Sequence, residues 1–157
     1  MKTLLIVVGK TTNKALHTLL ADYQARIARY MPFTVEVQPE PKNTRALTTE
    51  QQKQHEARQL LTRLQPGDHI VLLDPRGTQH TSTGLAQWLA ARQTAAPRRL
   101  VFIIGGPYGF HDTIYQAAKE QIALSRLTFS HQIVRLLFLE QLYRACTILR
   151  GLPYHHQ

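Results

Sequence analysis

Apolar residues along this chain follow two rhythms. Unbroken runs at Leu4 to Val8, Ile70 to Leu73 and Leu100 to Ile104 predict short strands buried on both faces. Between them, apolar positions recur at helical spacing: Leu16, Leu19, Leu20, Tyr23, Ile27 and Tyr30 follow Asn13, a residue suited to capping, and Pro32 ends that helix. Phe33 to Val37 alternates apolar with polar, as a strand with one wet face does, which puts it near an edge. Pro39 to Leu47 reads as a basic loop. Thr49 with Gln52 has the pattern of a capping box and opens a polar helix through Leu60, Leu61 and Leu64. Ser82 or Thr83 can cap the helix carrying Leu85, Trp88 and Leu89, and Asp112 one running through Ile114, Ala117, Ala118 and Gln121. Leu124 to Phe129 predicts a last extended segment. Ser130 then caps a long helix that ends near Arg150, with Gly151 in the stop position.

Strand and helix alternate five times, which predicts a single α/β domain over residues 1–157 with a mainly parallel sheet covered on both sides. The pattern leaves the strand order open. In such sheets ligands bind beyond the C-terminal ends of the strands. Two such ends stand out. Ile104 runs into Gly105-Gly106-Pro107-Tyr108-Gly109, and Leu73 into Asp74-Pro75-Arg76-Gly77. With the segment from Leu124 to Phe129, these loops can converge on one edge as a pocket. Glycine backbone there leaves N–H and C=O groups open to a planar ligand such as an adenine or a ribose; a turn that needs glycine merely to bend is the plainer reading.

Composition changes this picture in one respect. The chain has 157 residues, 43% of them hydrophobic and 18% charged, enough for one ordinary core. Its 19 Lys and Arg against 10 Asp and Glu give a net charge of +9, so a polyanionic partner becomes plausible beside a merely solvated basic surface. The basic residues are dispersed rather than gathered in a tail. Cys146, the single cysteine, sits among apolar helix positions with Leu142 and Leu149 and reads as a buried filler. The run from Leu4 to Val8 is too short for a signal sequence or a membrane span, so a cytoplasmic protein is expected.

Several chemistries lack their motifs. The glycine loop is neither G-x-G-x-x-G nor a Walker loop, and there is no G-x-S-x-G, C-x-x-C or H-E-x-x-H. Nothing calls for a metal.

Later motifs carry a resemblance. Ile104-Gly105-Gly106-Pro107-Tyr108-Gly109, Leu124-Ser125-Arg126-Leu127-Thr128-Phe129-Ser130-His131, Arg135, Glu140-Gln141-Leu142-Tyr143-Arg144-Ala145 and Pro153-Tyr154-His155 together resemble the signature of the RlmH family. The resemblance spans the whole chain and is dense from Leu100 onward. It implies a SPOUT-class methyltransferase whose C-terminal part is threaded into a trefoil knot. The implied activity is methylation of N3 of a pseudouridine in helix 69 of 23S ribosomal RNA, within the ribosome, with S-adenosylmethionine as donor. Donor contacts are implied at Leu73, Gly105, Leu124, Ser125, Arg126, Leu127, Thr128 and Phe129. The resemblance also implies a homodimer in which the tail of one subunit completes the site of the other. The apolar helix from Gln132 to Arg150 is consistent with that, although a core helix in a monomer would have the same composition.

Methyl transfer requires positioning of the acceptor nitrogen and help in losing its proton. His131, Arg135, Glu140, Arg144, Tyr154 and His155 are the candidates. Arg135, Arg144, Tyr154 and His155 are expected to hold the flipped nucleotide, with His155 the proton acceptor. The plainer reading of Glu140 and Arg144, four residues apart on a helix, is a surface ion pair; that of His155 is a solvated tail. Lys42, Arg45, Arg76, Arg98 and Arg99 are candidates for phosphate contact. Asp74-Pro75-Arg76-Gly77 and the added His156-Gln157 depart from the family pattern. Two alternatives remain open on the sequence: a SPOUT enzyme acting on another RNA, and a ribosome-binding factor without catalysis.

Overall fold

The computed structural model describes residues 1–156. Five parallel strands, β1 (Lys2–Val8), β2 (Phe33–Gln38), β3 (His69–Gln79), β4 (Arg99–Ile104) and β5 (Glu120–Ala123), form one sheet in the order β2-β1-β4-β3-β5. Helices α1 (Lys14–Ala28), α2 (Thr49–Arg63), α3 (Ser82–Ala95), α4 (Asp112–Ala117) and α5 (Ile133–Leu149) connect and cover it.

The unbroken apolar runs follow from that order. β1 and β4 lie side by side in the sheet interior and need apolar residues on both faces. Leu5, Val7, Phe102 and Ile104 point to one side, where Ile27 of α1, Leu89 of α3, and Phe138 and Leu142 of α5 bury them. Leu4, Ile6, Val101 and Ile103 point to the other, against Ala57 and Leu60 of α2 and Ile114 of α4. β2, the alternating strand, is an edge as expected.

Three expected caps lie one residue too late. The capping box is Thr48 with Gln51: the Gln51 N–H donates to Thr48 Oγ1 at 3.1 Å and the Thr48 N–H to Gln51 Oε1 at 2.9 Å. Thr81 caps α3, accepting from the Gly84 N–H at 3.0 Å, and the His111 ring caps α4. At α5 the N-cap is Gln132, whose side chain makes no cap bond, and Ser130, expected in that role, lies two residues earlier and accepts from the Ile133 N–H at 3.2 Å.

Two larger differences concern the sheet edge. The last strand is Glu120–Ala123, and Leu124 to Phe129 is irregular rather than extended. β3 does not stop at Leu73. It continues to Gln79 through a break in register, because Ile122 of β5 faces both Leu73 and Thr78, and residues 74–77 are extruded between them. Gly77 makes that detour possible: a Cβ there would lie 2.6 Å from the main-chain carbon of Gln121 and 2.7 Å from the Ile122 nitrogen.

Candidate functional site

A cavity of about 360 Å³ opens at the C-terminal ends of β3, β4 and β5. All three loops singled out in the sequence contribute to its wall. Of the expected donor contacts, Leu73, Gly105, Leu124, Ser125, Leu127, Thr128 and Phe129 line it; Arg126 does not. The lining also holds Asp74, Phe110, Ile122, Ser130, His131 and Val134. Gly105 faces the Phe110 ring, 3.0 Å from where a Cβ would stand, so the glycine lets that ring close the floor of the cavity. The Ser125 hydroxyl accepts from the Leu127 N–H at 3.0 Å and pins the loop's turn. The volume, the largely apolar lining and the bare Gly105-Gly106 backbone suit a nucleoside of the size of S-adenosylmethionine.

Asp74 escaped sequence reasoning as a site residue, although as the first polar residue after the Ile70–Leu73 run it could have been found. It is 7% exposed and lies in the extruded segment of β3. Its Oδ1 accepts from the Arg76 main-chain N–H at 2.8 Å, and the Tyr115 hydroxyl donates to Oδ2. Burial would raise the Asp74 pKa, but the bonds from Tyr115 and Arg76 outweigh it and hold the carboxyl below its ordinary value.

Of the six candidates for the acceptor side, His131 lines the cavity, and the other five, Arg135, Glu140, Arg144, Tyr154 and His155, are absent from its lining. Four of them form one cluster where α5 meets the tail. Glu140 pairs with Arg144 and accepts from the Tyr154 hydroxyl at 3.0 Å. Arg144 stacks over the Tyr154 ring at 4.8 Å, and its Nη1 lies 3.2 Å from His155 Nδ1. Because a guanidinium only donates, His155 Nδ1 accepts and the proton of the neutral ring sits on Nε2. That Nε2 is buried without a partner. The Tyr154 phenol is pushed well above its usual range by burial and by its bonds with Tyr23 and Glu140.

Arg135 occupies a position that its expected role does not fit. It is 1% exposed and spends its donors on the protein: Nη2 to the Val8 carbonyl at 2.7 Å, Nη1 to the Gly9 carbonyl at 2.8 Å and to Thr11 Oγ1 at 3.1 Å, Nε to the His131 carbonyl at 2.9 Å. Instead of gripping a nucleotide, it ties the end of β1 to the cavity loop. Gln132 adds to the tie, accepting from the Thr12 N–H and donating to the Lys10 carbonyl.

Among the basic candidates, Arg99 is engaged as well, bound to Asp68 at 2.6 and 2.8 Å and to the Arg63 carbonyl. Lys42, Arg45, Arg76 and Arg98 are exposed. Cys146 is 4% exposed, and burial pushes its thiol up to about 11. No helix among the described residues is long and apolar enough to cross a membrane, and none of their His, Cys, Asp and Glu gather into a metal-binding group.

Residues 1–155 match a family described as "Predicted SPOUT methyltransferase". The chain belongs to the SPOUT methyltransferase family. Over 157 residues, covering both chains in full, it is 51% identical to a protein of Bacteroides fragilis named ribosomal RNA large subunit methyltransferase H. Proteins of the same name from Bacteroides thetaiotaomicron and Flavobacterium johnsoniae are 50% and 47% identical over the same span. The RlmH resemblance seen in the motifs therefore extends through the whole chain, and SPOUT membership implies the trefoil knot at the C-terminal end of the sheet.

Proposed function

We propose that this chain is one protomer of a homodimeric ribosomal RNA methyltransferase. As a single domain over residues 1–157, it transfers the methyl group of S-adenosylmethionine to N3 of a pseudouridine in helix 69 of 23S rRNA, on the assembled ribosome in the cytoplasm. The observation that carries the reading is a separation. Seven of the eight expected donor contacts share one cavity, and of the six acceptor candidates five lie outside it, His131 alone lining its wall. A second protomer, bringing its own tail cluster over that cavity, unites the two halves. Exposed apolar side chains support such an interface: Ile133 and Leu137 on α5, Leu127 on the cavity loop, and Leu149 and Leu152 beside the tail. The names of the relatives support the RNA class, and the +9 charge suits a polyanion.

The donor supplies an electrophilic methyl on a positively charged sulfur. Leu73, Gly105, Leu124, Ser125, Leu127, Thr128 and Phe129 would hold it, and the apolar wall would exclude water. With a donor in place, the chain's own residues would have to align the acceptor N3 with the methyl group and help N3 lose its proton. N3 of a pseudouridine is flanked by two carbonyls, and the Arg144 guanidinium suits one of those oxygens as a donor. That would make the N–H more acidic. His155 can itself take the proton once Arg144 releases Nδ1. Arg135 acts as a positioning residue.

The test uses ribosomes from a strain lacking this methylation. Incubation with the purified protein and S-adenosylmethionine is expected to place one methyl group on N3 in helix 69, read by mass spectrometry of RNA fragments. Unmodified helix 69 from a preparation that binds the donor would overturn the substrate assignment.

A further inference from the structure

Among the described residues, two ionisable side chains stand on the cavity wall, Asp74 and His131; the remainder is backbone, hydroxyls and apolar groups such as Leu73, Ile104, Ile122 and Phe129. An apolar wall penalises a cation unless a counter-charge stands near it. Asp74 is the one anionic side chain among the described residues of that wall. Its carboxylate is held by the Tyr115 hydroxyl and the Arg76 main chain, and it belongs to residues 74–77, which the register break in β3 displaces from the sheet. Arg76 offsets this charge weakly. Its side chain is 74% exposed and its Nε lies 3.4 Å from Oδ1, so solvent screens the guanidinium while the carboxylate, 6% exposed, is shielded.

We propose that Asp74 reads the charge of the donor, its buried carboxylate attracting the sulfonium and thereby holding S-adenosylmethionine more tightly than the neutral thioether that remains after transfer. The inference rests on the assignment of the cavity to this donor. Methyl transfer removes one positive charge from sulfur: the S–CH3 bond breaks with its electron pair retained by sulfur, and the proton displaced from the acceptor nitrogen carries the charge to solvent. The counter-charge therefore favours the loaded state and loses its hold once the reaction is complete. Product leaves the cavity for the same reason that substrate enters it.

Titration calorimetry of the full-length protein with S-adenosylmethionine and, separately, S-adenosylhomocysteine tests this without RNA. Wild-type protein is expected to bind the sulfonium more tightly than the thioether. Asp74→Asn is expected to weaken S-adenosylmethionine by about tenfold while leaving S-adenosylhomocysteine nearly unchanged. Asp74→Glu, which keeps the charge, restores part of the preference, and Tyr115→Phe, which keeps Asp74 itself, retains it. Equal wild-type affinities overturn the proposal even if Asp74→Asn does not fold. So does an equal loss for both ligands in Asp74→Asn, since that places the carboxylate against the ammonium group the two share. Wild-type protein that binds neither ligand overturns the donor assignment itself, and the charge reading with it.

Discussion

Replacing Arg135 by methionine keeps most of the buried side-chain volume and removes every hydrogen bond the guanidinium makes. Two of its acceptors, the Val8 and Gly9 carbonyls, receive their bonds in the buried interior at 2.7 and 2.8 Å. A buried polar group left unpaired costs about 1–3 kcal/mol. The variant also no longer has to bury a charge, which returns part of that cost; burial already depresses the Arg135 pKa, with Glu40 opposing. The balance is a loss of about 3 kcal/mol, which a domain of ordinary stability survives. Urea denaturation followed by circular dichroism should show a midpoint lower by about 1.5 M with an unchanged slope. Because the same side chain holds the His131 carbonyl on the cavity wall, donor affinity of the folded variant should fall too, read by calorimetry in the absence of urea. A midpoint within about 0.3 M of wild type, together with undiminished donor binding, would refute the view that Arg135 ties β1 to the donor loop.

Gly77→Ala forces a methyl group into the main chain of Gln121 and Ile122, so it should destabilise the protein by about 2–4 kcal/mol and loosen the β3–β5 pairing, visible as faster amide exchange at Ile122. Glu120 should give stability a distinct acid dependence. Burial would raise its pKa, but bonds from Arg92, Trp88 and His69 outweigh this and hold it at about 2. Its folded value lies below the unfolded one, so its contribution is present above pH 4.5 and disappears as pH falls toward 2. The side chain is 27% exposed, so after solvent screening the contribution is about 1–2 kcal/mol. Glu120→Gln should be less stable than wild type at pH 7 and converge with it near pH 2 in chemical denaturation; parallel curves across that range would contradict the assignment.

Hydrophobic rhythm sufficed for the elements that bury two faces or one clean stripe. β1 and β4 were legible because the sheet interior demands unbroken apolar runs, and α1 because its stripe meets α5 and the sheet. β5 was not: half of Glu120-Gln121-Ile122-Ala123 is polar, and Glu120 is tolerated only because three distant side chains converge on it. The far half of β3 was hidden for a related reason. Pro75 and Gly77 are residues that ordinarily end strands, and nothing local shows that the chain resumes pairing after them. The caps slipped by one residue because Thr48-Thr49 and Thr81-Ser82-Thr83 each offer several suitable hydroxyls in succession.

For the site, spacing reached only as far as three loops that could converge. Which of their residues would face a methyl donor was implied by the family resemblance, and the cavity gathers all of these but Arg126. The place of Arg135 was beyond sequence reasoning, since two of its partners are the Val8 and Gly9 carbonyls, more than a hundred residues away, and any residue type carries a carbonyl.

The contact between Trp88 and Glu120 has a practical side. Trp88 is the single tryptophan of the chain, and its indole N–H donates to Glu120 Oε1 at 2.9 Å while Arg92 lies over its ring. The only indole emitter, carried by α3 and packed near Phe102 of β4, therefore also touches the edge strand β5 through Glu120. Its emission gauges whether that strand is docked, while far-ultraviolet ellipticity follows the helices. Any gap between the two melting curves measures how independently the strand next to the donor cavity comes undone.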